Sequence, residues 1–90
     1  ADAICFRNNL LRIHDLKTGR SKVSMVQLEI YAALFCLEYD VKPNDIQMEL
    51  RIYQSNEVLV HNPDPDDIFH IEDKIILFDR RIEELKQEEE

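Results

Sequence analysis

Residues 2–17 constrain the fold more than any other part of the chain. Two consecutive asparagines, Asn8 and Asn9, divide this segment into two stretches in which apolar side chains alternate along the chain. Asparagine tolerates left-handed backbone angles, so an Asn-Asn pair can form a two-residue turn between antiparallel strands. The pattern therefore predicts a β-hairpin with strands at residues 2–7 and 10–17.

A two-residue turn at this place also predicts the register of the hairpin, because it pairs residues whose numbers add up to 17. Ile4 then lies opposite Ile13, and one face of the hairpin is consistently apolar. The same register places Asp2 opposite Asp15, with their Cβ atoms about 5 Å apart on one face. Lys17 lies two residues beyond Asp15 and therefore shares that face.

Two carboxylates at this separation repel each other unless a third group neutralises them. A divalent cation such as Mg²⁺ can do so, because hard cations prefer carboxylate oxygens. A proton or Lys17 alone could also do so, and Asp2 could instead lie at a frayed end in water. The spacing makes Asp2, Asp15 and Lys17 candidate site residues and leaves these alternatives open.

The rest of the chain predicts an α+β domain in the order strand–strand–helix–strand–strand–helix. Ser24 and Gln27 match a capping box before an apolar helix at residues 25–39, which we expect to be buried on most sides. Residues 46–53 alternate as a strand, and a turn leads to a short strand at residues 57–61. The helix between the second and third strands suits a crossover connection.

The chain divides into a partial core at residues 1–62 and an acidic amphipathic helix within residues 63–90. Asp64 is a candidate cap for this helix, and Pro65 suits its first position. Apolar residues recur three and four positions apart along it: Ile68, Ile71, Ile75, Phe78, Ile82 and Leu85. This stripe either packs on the chain's own sheet or pairs with another chain, as a homo-oligomer or with a protein partner.

The net charge of −8 by itself argues against nucleic-acid binding, but the distribution of charge along the chain matters more than the total. Residues 63–90 hold eleven acidic and four basic residues, whereas residues 1–28 hold five basic and two acidic residues, a formal charge of +3. Arg20 and Lys22 belong to this basic part, in a predicted loop where they could contact phosphates. Solvated loop charges are the simpler alternative for both residues.

Composition excludes several other classes of protein. The 90 residues are 44% hydrophobic and 33% charged, which indicates one globular domain. No stretch approaches the ~18 apolar residues of a membrane span, and no signal peptide is recognisable, so we expect a cytoplasmic protein. The first residues look like the middle of a strand, so we also expect an upstream segment. Cys5 and Cys36 have no metal-ligand spacing and are expected to be reduced and buried.

The string from Leu11 to Gly19 resembles the core motif of the PD-(D/E)xK nuclease superfamily. Its RecB-like branch, which includes phage and CRISPR-associated exonucleases, carries Asp-x-Lys followed by Thr-Gly. A helix with the pattern Gln-x-x-x-Tyr follows in that branch, and this chain has Gln27 and Tyr31. Asp2 stands where the family has its earlier aspartate, at the end of the paired strand.

The resemblance implies a restriction-endonuclease-like core that hydrolyses DNA with a metal ion, in phage or prokaryotic DNA processing. Asp2 and Asp15, helped by the Leu16 carbonyl, would bind Mg²⁺ or Mn²⁺. Lys17 would activate the attacking water or stabilise the transition state.

Gln27 and Tyr31 would share one helix face and reach the site or the DNA. The alternative is a polar residue near the helix cap and a core tyrosine. The family pattern also includes an upstream helix, usually with a glutamate, and the core here lacks this N-terminal helix. The chain could therefore be an inactive fragment of a nuclease, or a non-catalytic protein-interaction module derived from a nuclease fold.

Overall fold

A computed structural model describes residues 3–17, 24–54 and 56–89, with side chains up to residue 87. The elements are β1 (Ala3–Arg7), β2 (Leu10–Leu16), α1 (Met25–Glu38), a 3-10 helix (Pro43–Asp45), β3 (Gln47–Tyr53), β4 (Val58–His61) and α2 (Pro65–Glu89). The predicted α+β class and the order of strands and helices are confirmed. The 3-10 helix was not predicted, since its proline had indicated only a loop.

The first hairpin has the predicted register. Ile4 pairs with Ile13 and Phe6 pairs with Leu11 in an antiparallel ladder. Asn8 and Asn9 have φ angles of 53° and 62°, the left-handed values that a two-residue turn of this kind requires. The chain therefore reverses direction at the asparagine pair, as the sequence predicts.

The four strands form one mixed sheet in the order β1-β2-β3-β4. β2 and β3 are parallel, with Leu10 beside Gln47 and Leu16 beside Tyr53. α1 makes the crossover between them, as predicted, because parallel neighbours cannot be joined by a tight turn. β3 and β4 form the second predicted hairpin, which is antiparallel.

The two faces of the sheet differ in what covers them. One face packs against α1 and the start of α2, and its buried residues form the core together with Leu28, Ala32, Ala33 and Ile68. We call the other side the open face, because no described helix covers it. It consists of Ala3, Cys5, Arg7, Leu10, Arg12, His14, Leu16, Gln47, Glu49, Arg51, Tyr53, Val58 and Val60.

α1 is buried on one side only, contrary to the expectation from its apolar sequence. Leu28 is fully buried, whereas Val26, Ile30 and Leu34 are exposed. The sheet covers one stripe of the helix and α2 packs beside that stripe, which leaves the opposite side of α1 without a covering element among the described residues. Ser24 is the N-cap residue, but its side chain makes no capping hydrogen bond, so the predicted capping box is not formed.

α2 begins with the predicted cap, because the Asp66 backbone N–H donates to Asp64 Oδ1 at 3.0 Å. The apolar stripe then divides into two parts. Ile68 is buried in the core, but Phe78 is 64% exposed and Leu85 is 60% exposed. The first part therefore packs on the chain's own core and the second part has no covering element among the described residues. No helix in the described part of the chain has both the length and the apolarity to cross a bilayer.

The two cysteines differ in their surroundings. Both are free thiols, but only Cys36 is buried, whereas Cys5 is exposed on the open face, which corrects the prediction that both are buried. Burial, with a further contribution from the nearby Glu72 carboxylate, raises the pKa of Cys36 to about 11.

Glu72 itself is buried on α2, and no described residue donates a hydrogen bond to its Oε1. Desolvation, and then the charge of Asp73, raises the pKa of Glu72 above its ordinary value of 4.5.

We expect Glu72→Gln to increase the free energy of unfolding by about 1 kcal/mol at pH 7, because it removes a buried charge whose Oε1 accepts no hydrogen bond from a described residue. A raised folded-state pKa means that protonation favours the folded chain. The advantage of the variant should therefore shrink as the pH falls through that raised pKa, and disappear below the unfolded value. Urea denaturation between pH 4 and pH 8 measures this, with Glu83→Gln at an exposed position of α2 as the matched control. An advantage that does not depend on pH would contradict the electrostatic explanation.

Candidate site at the carboxyl end of the second strand

Asp15 and Lys17 form an ion pair at the end of β2. Lys17 Nζ lies 2.9 Å from Asp15 Oδ2, and the two side chains are 24% and 11% exposed. Alternation along the strand places both on the helix-covered side of the sheet, as the sequence predicts. Asp15 is thus a buried carboxylate at the rim of the core, held beside a cation that solvent reaches only partly.

The end of the parallel pair positions this ion pair. The Lys17 backbone N–H donates to the Tyr53 carbonyl at 2.9 Å, so the ladder between β2 and β3 continues through Lys17. The Leu16 side chain lies on the open face and is exposed. Lys17 is therefore anchored by its backbone while its side chain turns to the opposite face from Leu16.

Gln27 and Tyr31 contact each other one turn apart on α1. Gln27 Nε2 donates to the Tyr31 hydroxyl at 3.4 Å. Gln27 is exposed, and Tyr31 packs against the core at its edge. The predicted shared helix face is confirmed, and the structure supports both parts of the alternative as well, a polar residue near the cap and a tyrosine partly in the core.

The packing of α1 against the sheet indicates where the Gln27 side chain lies relative to the residues of β2. The Phe35 ring lies 5.3 Å from that of Phe6, whose strand partner is Leu11. From Phe35 back to Gln27 the helix rises about 12 Å, and from Leu11 to Asp15 the strand rises about 13 Å. Because α1 runs back along β2, we infer that Gln27 lies at the level of Asp15.

Three predicted site residues lie outside the described residues: Asp2, Arg20 and Lys22. Among residues 3–17, 24–54 and 56–89, no group of three His, Cys, Asp or Glu side chains could hold a metal ion. The metal-ligand set predicted from the sequence contains only two side chains of these types, the carboxylates of Asp2 and Asp15, together with the Leu16 carbonyl. Asp15 is the one carboxylate of that set whose surroundings are described, and its oxygen atoms suit a hard cation.

A second polar cluster, which the sequence did not indicate, lies on the open face. Arg12 Nε is 3.7 Å from Glu49 Oε2, and Arg51 Nε donates to Glu49 Oε1. Arg51 Nη1 also donates to the Tyr53 hydroxyl at 3.3 Å. The Tyr53 ring stacks on His14, with centroids 5.6 Å apart and planes inclined by 13°. Alternation places each residue on this face, but the contacts depend on the β2–β3 register, which the sequence does not specify.

Comparison of the chain with protein-family models, curated proteins and solved structures found no match. Any functional assignment of the chain therefore depends on its own residues and their geometry.

Proposed function

We propose that the chain carries part of a metal-dependent nuclease site that hydrolyses DNA phosphodiester bonds. The observation that carries the proposal is the ion pair at the end of β2, in which the buried Asp15 lies 2.9 Å from the partly exposed Lys17. A carboxylate and an ammonium side by side can bind a cation and a phosphate respectively, which is what metal-assisted phosphodiester hydrolysis requires. The inferred position of Gln27 level with Asp15, and the hairpin register, which is described from Ala3 onward, support the same assignment.

Asp15 and Asp2, with the Leu16 carbonyl, would hold Mg²⁺ or Mn²⁺, since all three donate oxygen ligands. When bound, the cation supplies Lewis acidity at the phosphate and a lower pKa for a bound water. Lys17 would place its positive charge where negative charge develops on the phosphate oxygens. Gln27 and Tyr31 would hold the DNA or the site from the helix. Arg20 and Lys22 would contact DNA phosphates.

The first test is Mn²⁺ binding to the folded chain, followed by calorimetry and by paramagnetic broadening of its NMR signals. We expect one saturable site in the wild type and loss of binding of at least about tenfold in both Asp15→Asn and Asp2→Asn, because each removes a charged oxygen ligand. Asp73→Asn, an exposed position on α2, is the matched control and should bind as the wild type does.

Mn²⁺ binding that is unchanged in both aspartate variants, or absent from the wild type, would contradict the nuclease proposal. Binding that depends on both residues would justify measuring DNA hydrolysis in Mn²⁺. The same variants separate the nuclease from the alternative, since a protein-interaction module should tolerate the loss of either aspartate.

The alternative function is a non-catalytic protein-interaction module, and the second half of α2 favours it. Phe78 and Leu85 are exposed there, and Phe78 lines an apolar groove with Val26, Ile30 and Ile75. An amphipathic helix of a partner, or a second copy of the chain, could cover this groove. A partner or a second copy bound in this groove would leave the ion pair of Asp15 and Lys17 in place, so such binding alone does not distinguish the non-catalytic module from the nuclease.

A further inference from the structure

The charge of the open face is opposite to that of the whole chain. The chain has a net charge of −8. On the open face, the arginines Arg7, Arg12 and Arg51 stand against one acid, Glu49, a formal charge of +2. Positive potential on one face of an acidic protein favours a polyanion at that face, because like charge elsewhere repels it.

The arginines of the open face are arranged to leave positive charge available. Glu49 is shared between Arg12 and Arg51, so one carboxylate faces two guanidinium groups. Arg7 and Arg12 line a shallow depression of about 410 Å³ together with Gln47. Guanidinium groups bind phosphate with paired hydrogen bonds, and a depression of this size can receive a small ligand group.

An aromatic pair lies on the same face, next to the arginines. His14 and Tyr53 are stacked on adjacent parallel strands, and Arg51 donates to the Tyr53 hydroxyl, which fixes the orientation of the ring. Flat aromatic side chains among arginines are the usual way in which proteins bind unpaired bases, since every base has a face that can stack. A base within a duplex is already stacked on its neighbours and cannot use such a pair.

We propose that the open face binds single-stranded DNA, with phosphates at Arg7 and Arg12 and a base stacked on the pair of His14 and Tyr53. Tyr53 is also the residue whose carbonyl accepts the Lys17 N–H, so this surface ends at the strand end that carries the candidate site. The inference rests on the proposed nuclease function in one respect, because it specifies that the DNA substrate is single-stranded. Binding itself needs no metal and can be measured separately.

The test is fluorescence anisotropy with a labelled oligothymidine of about 12 nucleotides, a length within the range that such surfaces bind. The titration is done in EDTA and at several salt concentrations. We expect saturable binding that weakens as salt rises, because bound phosphates release counterions. Arg12→Gln and Tyr53→Leu should each weaken binding about tenfold, since each removes one of the two kinds of contact.

Matched controls are available at exposed positions away from the open face. Arg81→Gln on α2 and Tyr39→Leu at the end of α1 should leave the affinity within about twofold of the wild type. Circular dichroism and thermal melting of every variant show whether it is folded. Equal losses in the control variants would overturn the proposal, as would absence of binding by the folded wild type.

Competition distinguishes single-stranded DNA from other polyanions. Unlabelled oligothymidine should displace the probe at a concentration about tenfold lower than a duplex of the same length or inorganic polyphosphate, because neither competitor offers an unpaired base. Equal competition by polyphosphate would overturn the stacking contact, and equal competition by duplex would overturn the preference for single strands. Binding of the probe in EDTA, together with Mn²⁺ binding that does not need Asp2 and Asp15, would overturn the nuclease proposal alone.

Discussion

Replacing Lys17 with methionine is expected to slow the proposed DNA hydrolysis about 10²- to 10³-fold while the proposed Mn²⁺ binding is retained. Methionine keeps the length and much of the volume of the side chain but removes its positive charge. A group that stabilises charge developing in the transition state typically contributes a factor of this size. The ligands of the cation remain in place, and Asp15 loses a competing partner that lies 2.9 Å away.

The measurement is the rate of cleavage of a labelled DNA strand in saturating Mn²⁺, together with a calorimetric titration of each variant. Lys42→Met, at an exposed position before the 3-10 helix, is the matched control and should cleave at the wild-type rate. If Lys17→Met cleaved as fast as the wild type, Lys17 would have no role in the chemistry. Loss of Mn²⁺ binding in that variant would instead indicate that Lys17 shapes the ligand set.

The second large effect is on stability. Leu50→Ala should lower the free energy of unfolding by about 3–4 kcal/mol, because the leucine is fully buried and its removal leaves a cavity. Leu50 lies in β3 with Ile13 of β2 on one side and His61 of β4 on the other. Loss of its side chain therefore weakens packing across three strands. Domains of this size have total stabilities of roughly 5–15 kcal/mol, so a large fraction would be lost.

Urea denaturation followed by circular dichroism measures this change. Leu77→Ala, which makes the same substitution at an exposed position of α2, should change the free energy of unfolding by less than about 0.5 kcal/mol. Similar losses in the two variants would mean that the exposed part of α2 is covered in solution, for example by a second copy of the chain.

The hairpin and its register could be predicted because local chemistry determines them. Asn8 and Asn9 supply the two positive φ angles, and alternation selects the one register in which Ile4 and Ile13 share a face. The ion pair followed from the same alternation, since residues two apart on a strand point to the same side. Local pattern therefore predicted both the first hairpin and the part of the candidate site that lies on a single strand.

What could not be predicted depends on contacts between distant segments. The burial of α1 was overestimated, because an apolar sequence does not reveal how many layers are available to cover it. Cys5 was expected inside because its residue type is usually buried, but the face that it occupies is open. The stack of His14 on Tyr53 depends on the register of two parallel strands joined through a whole helix. No local pattern specifies that register.

The contrast between the two thiols makes the chain selectively reactive toward electrophiles. Only a thiolate attacks such reagents readily, and the Cys36 thiol, with a pKa of about 11, remains protonated at neutral pH inside the core. Cys5 is exposed on the open face, two residues from Arg7. A maleimide dye would therefore attach at one place without any engineered cysteine. Its emission would report on whatever approaches that side of the sheet.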